Sequence, residues 1–201
     1  MGKLEDKKRL KRKAILKSAF KLFTEKGVTE TSVSDITRDA KLAKGTFYLY
    51  YKDKYEVRDE LISIHGSRLI REAREEVGNI EEIENCSFDE IVIQIIDNII
   101  NRFIRNKSLL KFINKNLSWA LLSDVTIDDE ENMSSLDIFK NLIKLSGEHF
   151  RNEDVMIFML VETTSAMCHA SILDNDTIGI EELKPELYTN IRSIVKQFKA
   201  E

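Results

Sequence analysis

The chain has 201 residues, of which 42% are hydrophobic and 33% are charged, a composition typical of a globular protein. Its single proline and seven glycines leave few helix breakers, which argues against a turn-rich β-sandwich and favours long helices. No apolar run approaches the roughly 18 residues of a transmembrane helix, and no signal peptide is recognisable, so no membrane association is expected. Cys86 and Cys168 lack metal-ligand spacing, which indicates a reducing, cytoplasmic compartment.

The charge is distributed unevenly along the chain. Residues 1–60 carry 16 Lys and Arg against 10 Asp and Glu, whereas the remaining 141 residues carry 15 against 25. A basic N-terminal part followed by an acidic remainder indicates that the N-terminal part binds a polyanion. A lysine-rich, solvated helix face explains the same composition equally well, so the residue pattern within the basic part has to discriminate.

Two helices are predicted at the start of the basic part. The first covers about residues 10–26 and ends at Gly27, which is placed to close it in a left-handed turn. The second begins at Ser32, where a hydroxyl cap is followed three residues later by the carboxylate of Asp35, as in a capping box. The apolar face of the first helix is formed by Ile15, Ala19, Leu22 and Phe23.

A third, short helix is predicted over residues 44–51, where one lysine and one glycine accompany hydroxyl and aromatic side chains. Asp53 is placed to cap a fourth helix, with Glu56 at the capping-box position. Two short helices joined by a tight turn and braced by a longer one form a helix-turn-helix, whose second helix reads the major groove.

The N-terminal part resembles the signature of the TetR family of transcriptional regulators. The resemblance is carried by Ile15–Gly27, Thr31–Ile36 and Lys44–Lys54, where spacing, aromatic content and glycine positions agree together. It covers about residues 12–60, a quarter of the chain. It implies a dimeric transcriptional regulator that binds double-stranded operator DNA.

The resemblance also assigns roles to individual residues. Lys44, Gly45 and Thr46 would face base edges, with the glycine allowing close backbone approach. Tyr48 and Tyr50 would contact phosphates or thymine methyls. Thr31, Ser32 and Lys54 would contact the phosphate backbone. The implied core positions are Ile36, Ala40, Leu42, Phe47 and Tyr51.

Two residues in the turn depart from the family pattern. Lys41 stands where the family usually has glycine, and Ala43 stands where it has a serine or threonine cap. A non-glycine residue in a left-handed turn costs about 1 kcal/mol, and a missing cap hydroxyl costs about as much. We expect a packed domain to tolerate both, and Lys41 adds a cation near the DNA.

Beyond residue 55, hydrophobic periodicity predicts one helix after another. An all-α protein of about nine helices is expected, with a three-helix helix-turn-helix head followed by a helical bundle. The expected domains are 1–54, which binds DNA, and 55–201, which senses a ligand and dimerises. The predicted helices cover about residues 53–76, 88–105, 107–123, 128–150, 153–173 and 182–199.

In the TetR family the last two helices pair with their copies in a four-helix bundle, which implies a homodimer. In the first of them small residues would let another helix approach, and in the second an apolar stripe follows Pro185, which fits a first helical turn. The alternative is that both stripes face the core of one chain. The small residues are Ser165, Ala166, Ala170 and Ser171, and the stripe is Leu187, Ile191, Ile194, Val195 and Phe198.

Family members hold a small apolar ligand among the C-terminal helices, and its binding tilts the fourth helix and misplaces the two reading heads. The resemblance therefore implies a repressor that a small-molecule effector releases from a palindromic operator. Each candidate for the pocket is equally plausible as plain core, and a regulator that binds DNA constitutively or responds to a protein partner is the alternative. The candidates are Phe103, Phe112, Trp119, Phe139, Met159 and His169.

The sequence offers little support for an enzyme or for a cofactor or metal site. His65, His149 and His169 fall on separate predicted helices, and no glycine-rich phosphate loop occurs. Cys168 and His169 are adjacent, so on a helix they point about 100° apart and form no nucleophile–base pair. The segment 174–179 is similar to the start of a calcium loop but places Ile178 at a ligand position.

Overall fold

The computed structural model describes residues 3–78, 86–113, 135–173 and 178–200. Over these ranges the chain forms nine α-helices, and its only β-type pairing is an isolated bridge between Phe150 and Lys199. The predicted all-α fold is confirmed. The helices are α1 (Lys3–Lys26), α2 (Val33–Asp39), α3 (Lys44–Phe47), α4 (Lys54–Glu75), α5 (Phe88–Arg105), α6 (Lys107–Ile113), α7 (Ser135–Ser146), α8 (Glu153–Ile172) and α9 (Ile180–Phe198).

Several helix boundaries differ from the predicted ones. α1 begins at Lys3, about seven residues before the predicted start, because the basic run that precedes the apolar face contains no helix breaker. α7 ends at Ser146 rather than near Phe150, because Gly147 adopts a left-handed φ of +66° and closes the helix. The helix predicted over 107–123 is described only as far as Ile113, so Trp119 and the acidic run 128–131 lie outside the described residues.

The chain divides into two compact units, residues 1–62 and 63–201, and the division falls within α4. In the N-terminal unit, α1 packs against α2 and α2 packs against α3. Its core is closed by two aromatic residues, Phe47 and Tyr51. The other buried apolar residues of this unit include Ile15, Ala19, Phe23, Ile36, Val57 and Leu61.

In the C-terminal unit, α5 lies among α6, α7, α8 and α9 and contacts each of them. The sequence predicted a broad apolar surface for this helix, and most of its isoleucines are buried together with Phe88 and Phe103, although Ile104 is 38% exposed. α8 and α9 make the most extensive helix–helix contact of the unit. α8 is also long and apolar enough to cross a membrane, but half of that window is buried, as in the core helix of a globular protein.

The predicted arrangement of the last two helices needs two corrections. The apolar stripe of α9, from Leu187 to Phe198, is buried within its own chain, so it is not an open surface awaiting a second copy. Pro185 is not in the first turn, because α9 begins at Ile180. Pro185 therefore lies inside the helix, where it has no N–H to offer the carbonyl of Glu181.

Candidate nucleic-acid interface

The entry into α2 is held by side-chain hydrogen bonds. The Ser32 hydroxyl oxygen accepts from the Asp35 N–H at 3.1 Å, and the Asp35 carboxylate accepts from the Ser32 N–H at 3.1 Å, which confirms the predicted capping box. The Ser32 hydroxyl also donates its own proton to the Asp35 carboxylate at 2.8 Å. This hydrogen bond, together with those from the Ser32 N–H and the Lys26 ammonium, holds the pKa of Asp35 well below its usual range. Gly27, with a φ of +89°, ends α1 as predicted.

Ion pairs between α1 and α2 support the orientation of the motif. The Lys21 ammonium lies 2.8 Å from the Asp39 carboxylate, and the Lys26 ammonium lies 3.1 Å from Asp35. The Lys21–Asp39 hydrogen bond raises the pKa of the lysine and lowers that of the aspartate. Because both pairs are open to solvent, we expect each to contribute little to stability.

The turn between α2 and α3 has the geometry that its sequence predicted. Lys41 has a φ of +55°, in the left-handed region that favours glycine. Ala43 is the N-cap residue of α3 and provides no side-chain hydrogen bond. The Leu42 N–H donates to the Thr37 carbonyl at 2.9 Å and holds the turn in place. Backbone hydrogen bonding thus maintains a turn that carries two unfavourable residues.

Replacing Ala43 by serine should stabilise the N-terminal unit. The new hydroxyl would accept from an unsatisfied N–H in the first turn of α3, and we expect the free energy of unfolding to rise by about 1 kcal/mol. Urea denaturation followed by circular dichroism measures the change. Ser32→Ala is the matched control and should lower stability by a similar amount. An Ala43→Ser variant that is no more stable than the parent would contradict the proposed cap deficit.

α3 separates a buried residue from an exposed surface. Phe47 is fully buried and its ring lies 5.8 Å from that of Tyr51, whereas Tyr48 is 53% exposed. Burial, followed by the nearby Glu60 carboxylate, raises the pKa of Tyr51. Lys44 and Gly45 are also exposed. We define the α3 surface by five residues, of which Thr46 and Tyr50 are half-buried and the others exposed: Lys44, Gly45, Thr46, Tyr48 and Tyr50.

The α3 surface is less regular than predicted. The α-helix ends at Phe47, and Tyr48 through Tyr50 form turns rather than further helix. The Tyr51 N–H still donates to the Phe47 carbonyl at 3.1 Å, so the segment stays tightly wound. A Cβ placed on Gly45 would meet no atom within 4 Å. The fold itself therefore does not require glycine at this position.

Two of the predicted DNA contacts are used inside the N-terminal unit. Thr31 is fully buried and its hydroxyl donates to the Gly27 carbonyl at 2.7 Å, which is incompatible with its predicted role as a hydroxyl donor to DNA. The Lys54 ammonium donates to the carbonyls of Thr29 and Thr31 at 2.8 and 2.9 Å. Two of the three ammonium protons are therefore engaged. The burial of Thr31 could have been suspected from the sequence, because Thr31 stands four residues after Gly27, which closes α1.

The start of α4 confirms the predicted cap with one change. The Asp53 carboxylate accepts from the N–H groups of Tyr55 and Glu56 at 2.8 and 3.0 Å. The Glu56 carboxylate accepts from the Lys52 N–H and not, as a standard capping box would have it, from the N–H of the cap residue. Lys52 and Lys54 are thereby placed on either side of a firmly capped helix start.

The predicted ligand residues are only partly brought together. Phe103 and Phe139 line a small apolar cavity of about 30 Å³, together with Ile70, Leu160 and Thr164. Phe112 is buried elsewhere, while Met159 and His169 are half-buried; none of these three is among the residues that line the cavity. A space of this size holds about one water molecule. Trp119 lies outside the described residues.

Two titratable residues described in the C-terminal unit, His65 and Cys168, have shifted pKa values. Among the described residues, no group of three or more His, Cys, Asp or Glu side chains is positioned to hold a metal ion. Burial, followed by the charge of Arg68, lowers the pKa of His65 to about 4. Burial raises the pKa of the Cys168 thiol to about 12, so that sulfur is a poor nucleophile at neutral pH.

Comparison with known proteins gives a consistent picture for the N-terminal unit. Residues 15–61 match the family model described as "Bacterial regulatory proteins, tetR family". The uncharacterized HTH-type transcriptional regulator YuxN of Bacillus subtilis (strain 168) is 46% identical over 44 residues, which are 22% of this chain and 15% of that protein. The match thus spans about a seventh of this curated relative.

Solved structures resemble the whole chain. A TetR-family transcriptional regulator from Streptomyces coelicolor superposes with a TM-score of 0.65 at 14% identity, over 94% of this chain and 99% of the other. The transcriptional regulator FadR from Bacillus subtilis, solved in complex with stearoyl-CoA, superposes with a TM-score of 0.54 at 17% identity, over 90% and 98%. At identities this low, the similarity shows a shared fold and nothing more.

Proposed function

We propose that this chain, whose helix-turn-helix belongs to the TetR family of bacterial regulatory proteins, is a sequence-specific DNA-binding transcriptional regulator of the cytoplasm. The observation that carries the proposal is the α3 surface. An aromatic and a basic side chain project from a short helix whose own core residue, Phe47, is fully buried. The exposed parts of these side chains contribute little to the core of the unit, and their chemistry suits base edges and phosphates.

The proposed contacts divide into base and backbone contacts. Lys44, Thr46 and Tyr48 lie on the α3 surface and would reach into the major groove. Gly45, where the fold leaves open space, would let the backbone approach the DNA closely. Ser32 would present its end of α2 to a phosphate, since the first N–H groups of a helix favour anions. Lys54 has one ammonium proton left for a phosphate, and Tyr50 flanks the same surface.

A homodimer is the proposed form of the regulator. Two apolar residues of α8 are exposed, Val155 at 51% and Phe158 at 41%, and Ala166 lies exposed further along the same helix. These exposed apolar residues share a face of α8 with the exposed Glu162, and on a helix that is otherwise core they favour a second copy as their cover. Ser165 and Ser171, named from the sequence as contact residues, are buried within the chain. The proposed interface therefore uses the exposed residues of α8, of which Ala166 is one of the small residues named from the sequence.

Phe158→Glu should convert the dimer into a monomer. A carboxylate at the centre of an apolar interface would be desolvated without a partner, which costs several kcal/mol. Sedimentation velocity measures the change in mass. Ile104→Glu is the matched control, because Ile104 is 38% exposed on α5 of the same unit, and it should leave the dimer intact. Loss of the dimer in both variants, or in neither, would contradict the proposed interface.

The proposed regulation is release of a repressor from a palindromic operator by a small, largely apolar ligand. In its support, the cavity beside Phe103 and Phe139 is lined by apolar side chains with Thr164 and Ser165 at its wall. The structurally similar FadR of Bacillus subtilis was solved with stearoyl-CoA. The small volume of the cavity favours the alternative, in which the protein binds DNA constitutively or responds to a protein partner. An apolar effector would have to open this cavity.

Selection of bound fragments from the source genome tests the proposed function. We expect enrichment of inverted half-sites spaced by about one helical turn, as a two-fold dimer requires. Binding to the selected fragment should weaken steeply as the salt concentration rises, because lysines displace counterions from phosphates. Recovery of fragments without a shared sequence, or affinity that does not change with salt, would contradict the proposal.

A further inference from the structure

A second, larger cavity lies in the C-terminal unit between the end of α4 and α7. Its volume is about 520 Å³, within the range of roughly 300–1,000 Å³ that is usual for small-molecule sites. We call it the basic cleft. Its lining combines three cationic side chains, Arg71, Arg74 and Lys144, with three apolar ones, Ile138, Leu142 and Leu145.

Two acids near the end of α4 are paired outside the basic cleft. Glu72 and Glu76 both accept from the Arg102 guanidinium, each at 2.6 Å. Glu75 is the only acidic residue among the described residues that line the cleft, against three cations. Cations therefore outnumber acids among the described lining residues, in a unit whose sequence is acidic overall. A cleft of this kind attracts anions.

The basic cleft is distinct from the small cavity beside Phe103. The two cavities share none of the described lining residues, although both draw on α4 and α7. Ile70 and Phe139 face the small cavity, whereas their chain neighbours Arg71 and Ile138 line the basic cleft. Neighbouring residues of a helix point about 100° apart, so these two helices contribute to both spaces from adjacent faces.

We propose that the basic cleft binds an amphipathic anion, a molecule with an apolar chain and a carboxylate or phosphate group. The chain would pack against Ile138, Leu142 and Leu145, while Arg74 and Lys144 would hold the anionic group. Guanidinium and ammonium groups form charge-assisted hydrogen bonds with such oxygens. The inference names an effector class for the proposed regulator and rests on that function for its regulatory meaning.

The basic cleft is lined in part by the helix that begins next to the helix-turn-helix. Arg71 and Arg74 belong to α4, which begins at Lys54, beside the helix-turn-helix. A ligand changes a conformational equilibrium only if it binds one state more tightly than the other. An anion bound at one end of α4 would meet this condition if the helix shifts between its DNA-bound and free positions.

Calorimetric titration of the full chain with dodecanoate, dodecyl phosphate and the neutral dodecan-1-ol tests the inference. We expect at least one anion to bind about tenfold more tightly than the alcohol, because charge-assisted hydrogen bonds to two cations are available only to the anions. The stronger of the two anions identifies the head group. The anion affinity should also fall with rising salt, while that of the alcohol should not.

The double variant Arg74→Gln, Lys144→Gln should lose most of the anion preference and keep the alcohol affinity. Arg105→Gln, Lys111→Gln is the matched control, since it removes two exposed cations of the same unit outside the cleft. Equal binding of anions and alcohol, absence of binding, or equal losses in both double variants would overturn the inference. Calorimetry needs no operator, so this outcome is independent of whether the chain binds DNA.

Discussion

Tyr48→Ala should weaken operator binding by about 100-fold, because a groove contact is worth roughly 1–3 kcal/mol and a two-fold dimer loses it twice. Tyr48 is 53% exposed, and its ring meets Phe47 edge-on at 5.4 Å between centroids. The side chain thus contributes little to the core, so helicity and dimer mass should stay unchanged. Fluorescence anisotropy with the selected operator fragment measures the affinity.

Tyr55→Ala is the matched control for this experiment. Tyr55 is 45% exposed in the same unit, and its ring is covered by the Lys54 ammonium and the Arg58 guanidinium. It does not belong to the α3 surface, and its removal should change operator affinity only slightly. If Tyr48→Ala binds the operator as tightly as the parent, the α3 surface is not the reading surface.

Phe47→Ala should lower the free energy of unfolding of the N-terminal unit by about 3–5 kcal/mol. Phe47 is fully buried, and its ring is in contact with those of Tyr48 and Tyr51. Its removal leaves a cavity in a unit of only 62 residues, and such small cores have little stability to spare. Urea denaturation followed by circular dichroism measures the loss, and DNA binding should be lost with it.

Leu49→Ala is the control for the Phe47 variant. Leu49 is two residues away and 81% exposed, so its truncation should change stability by no more than about 0.5 kcal/mol. A Phe47→Ala protein that loses less than about 1 kcal/mol would show that α3 is not anchored by this ring. The pair separates the packing role of the segment from its surface role.

The helix-turn-helix could be predicted from the sequence because its determinants are local. Gly27, Ser32 with Asp35, and Asp53 each specify a helix end through groups within three or four residues. The left-handed backbone conformation of Lys41 was also predictable, because Lys41 stands at a position where the family usually has glycine. The Glu56 carboxylate accepts from the N–H of Lys52 rather than from that of Asp53, because this hydrogen bond depends on how the chain enters α4.

The errors concern contacts between residues far apart in the chain. An apolar stripe such as that of α9 fits a core and an interface equally well, and only its packing against other helices shows that it is buried. The same holds for Ser165 and Ser171 on α8. The basic cleft escaped prediction altogether, because Arg74 and Lys144 are 70 residues apart and approach only through the α4–α7 arrangement.

The hydrogen bonds of Lys54 have a further consequence for how this unit can move. One ammonium group ties the first residue of α4 to the carbonyls of Thr29 and Thr31, the segment that leads into α2. Rotation of the start of α4 would either carry that segment with it or leave two carbonyls without their donor. The start of α4 and the entry to α2 are therefore mechanically coupled. A phosphate that drew Lys54 away would loosen this joint at the moment of DNA binding.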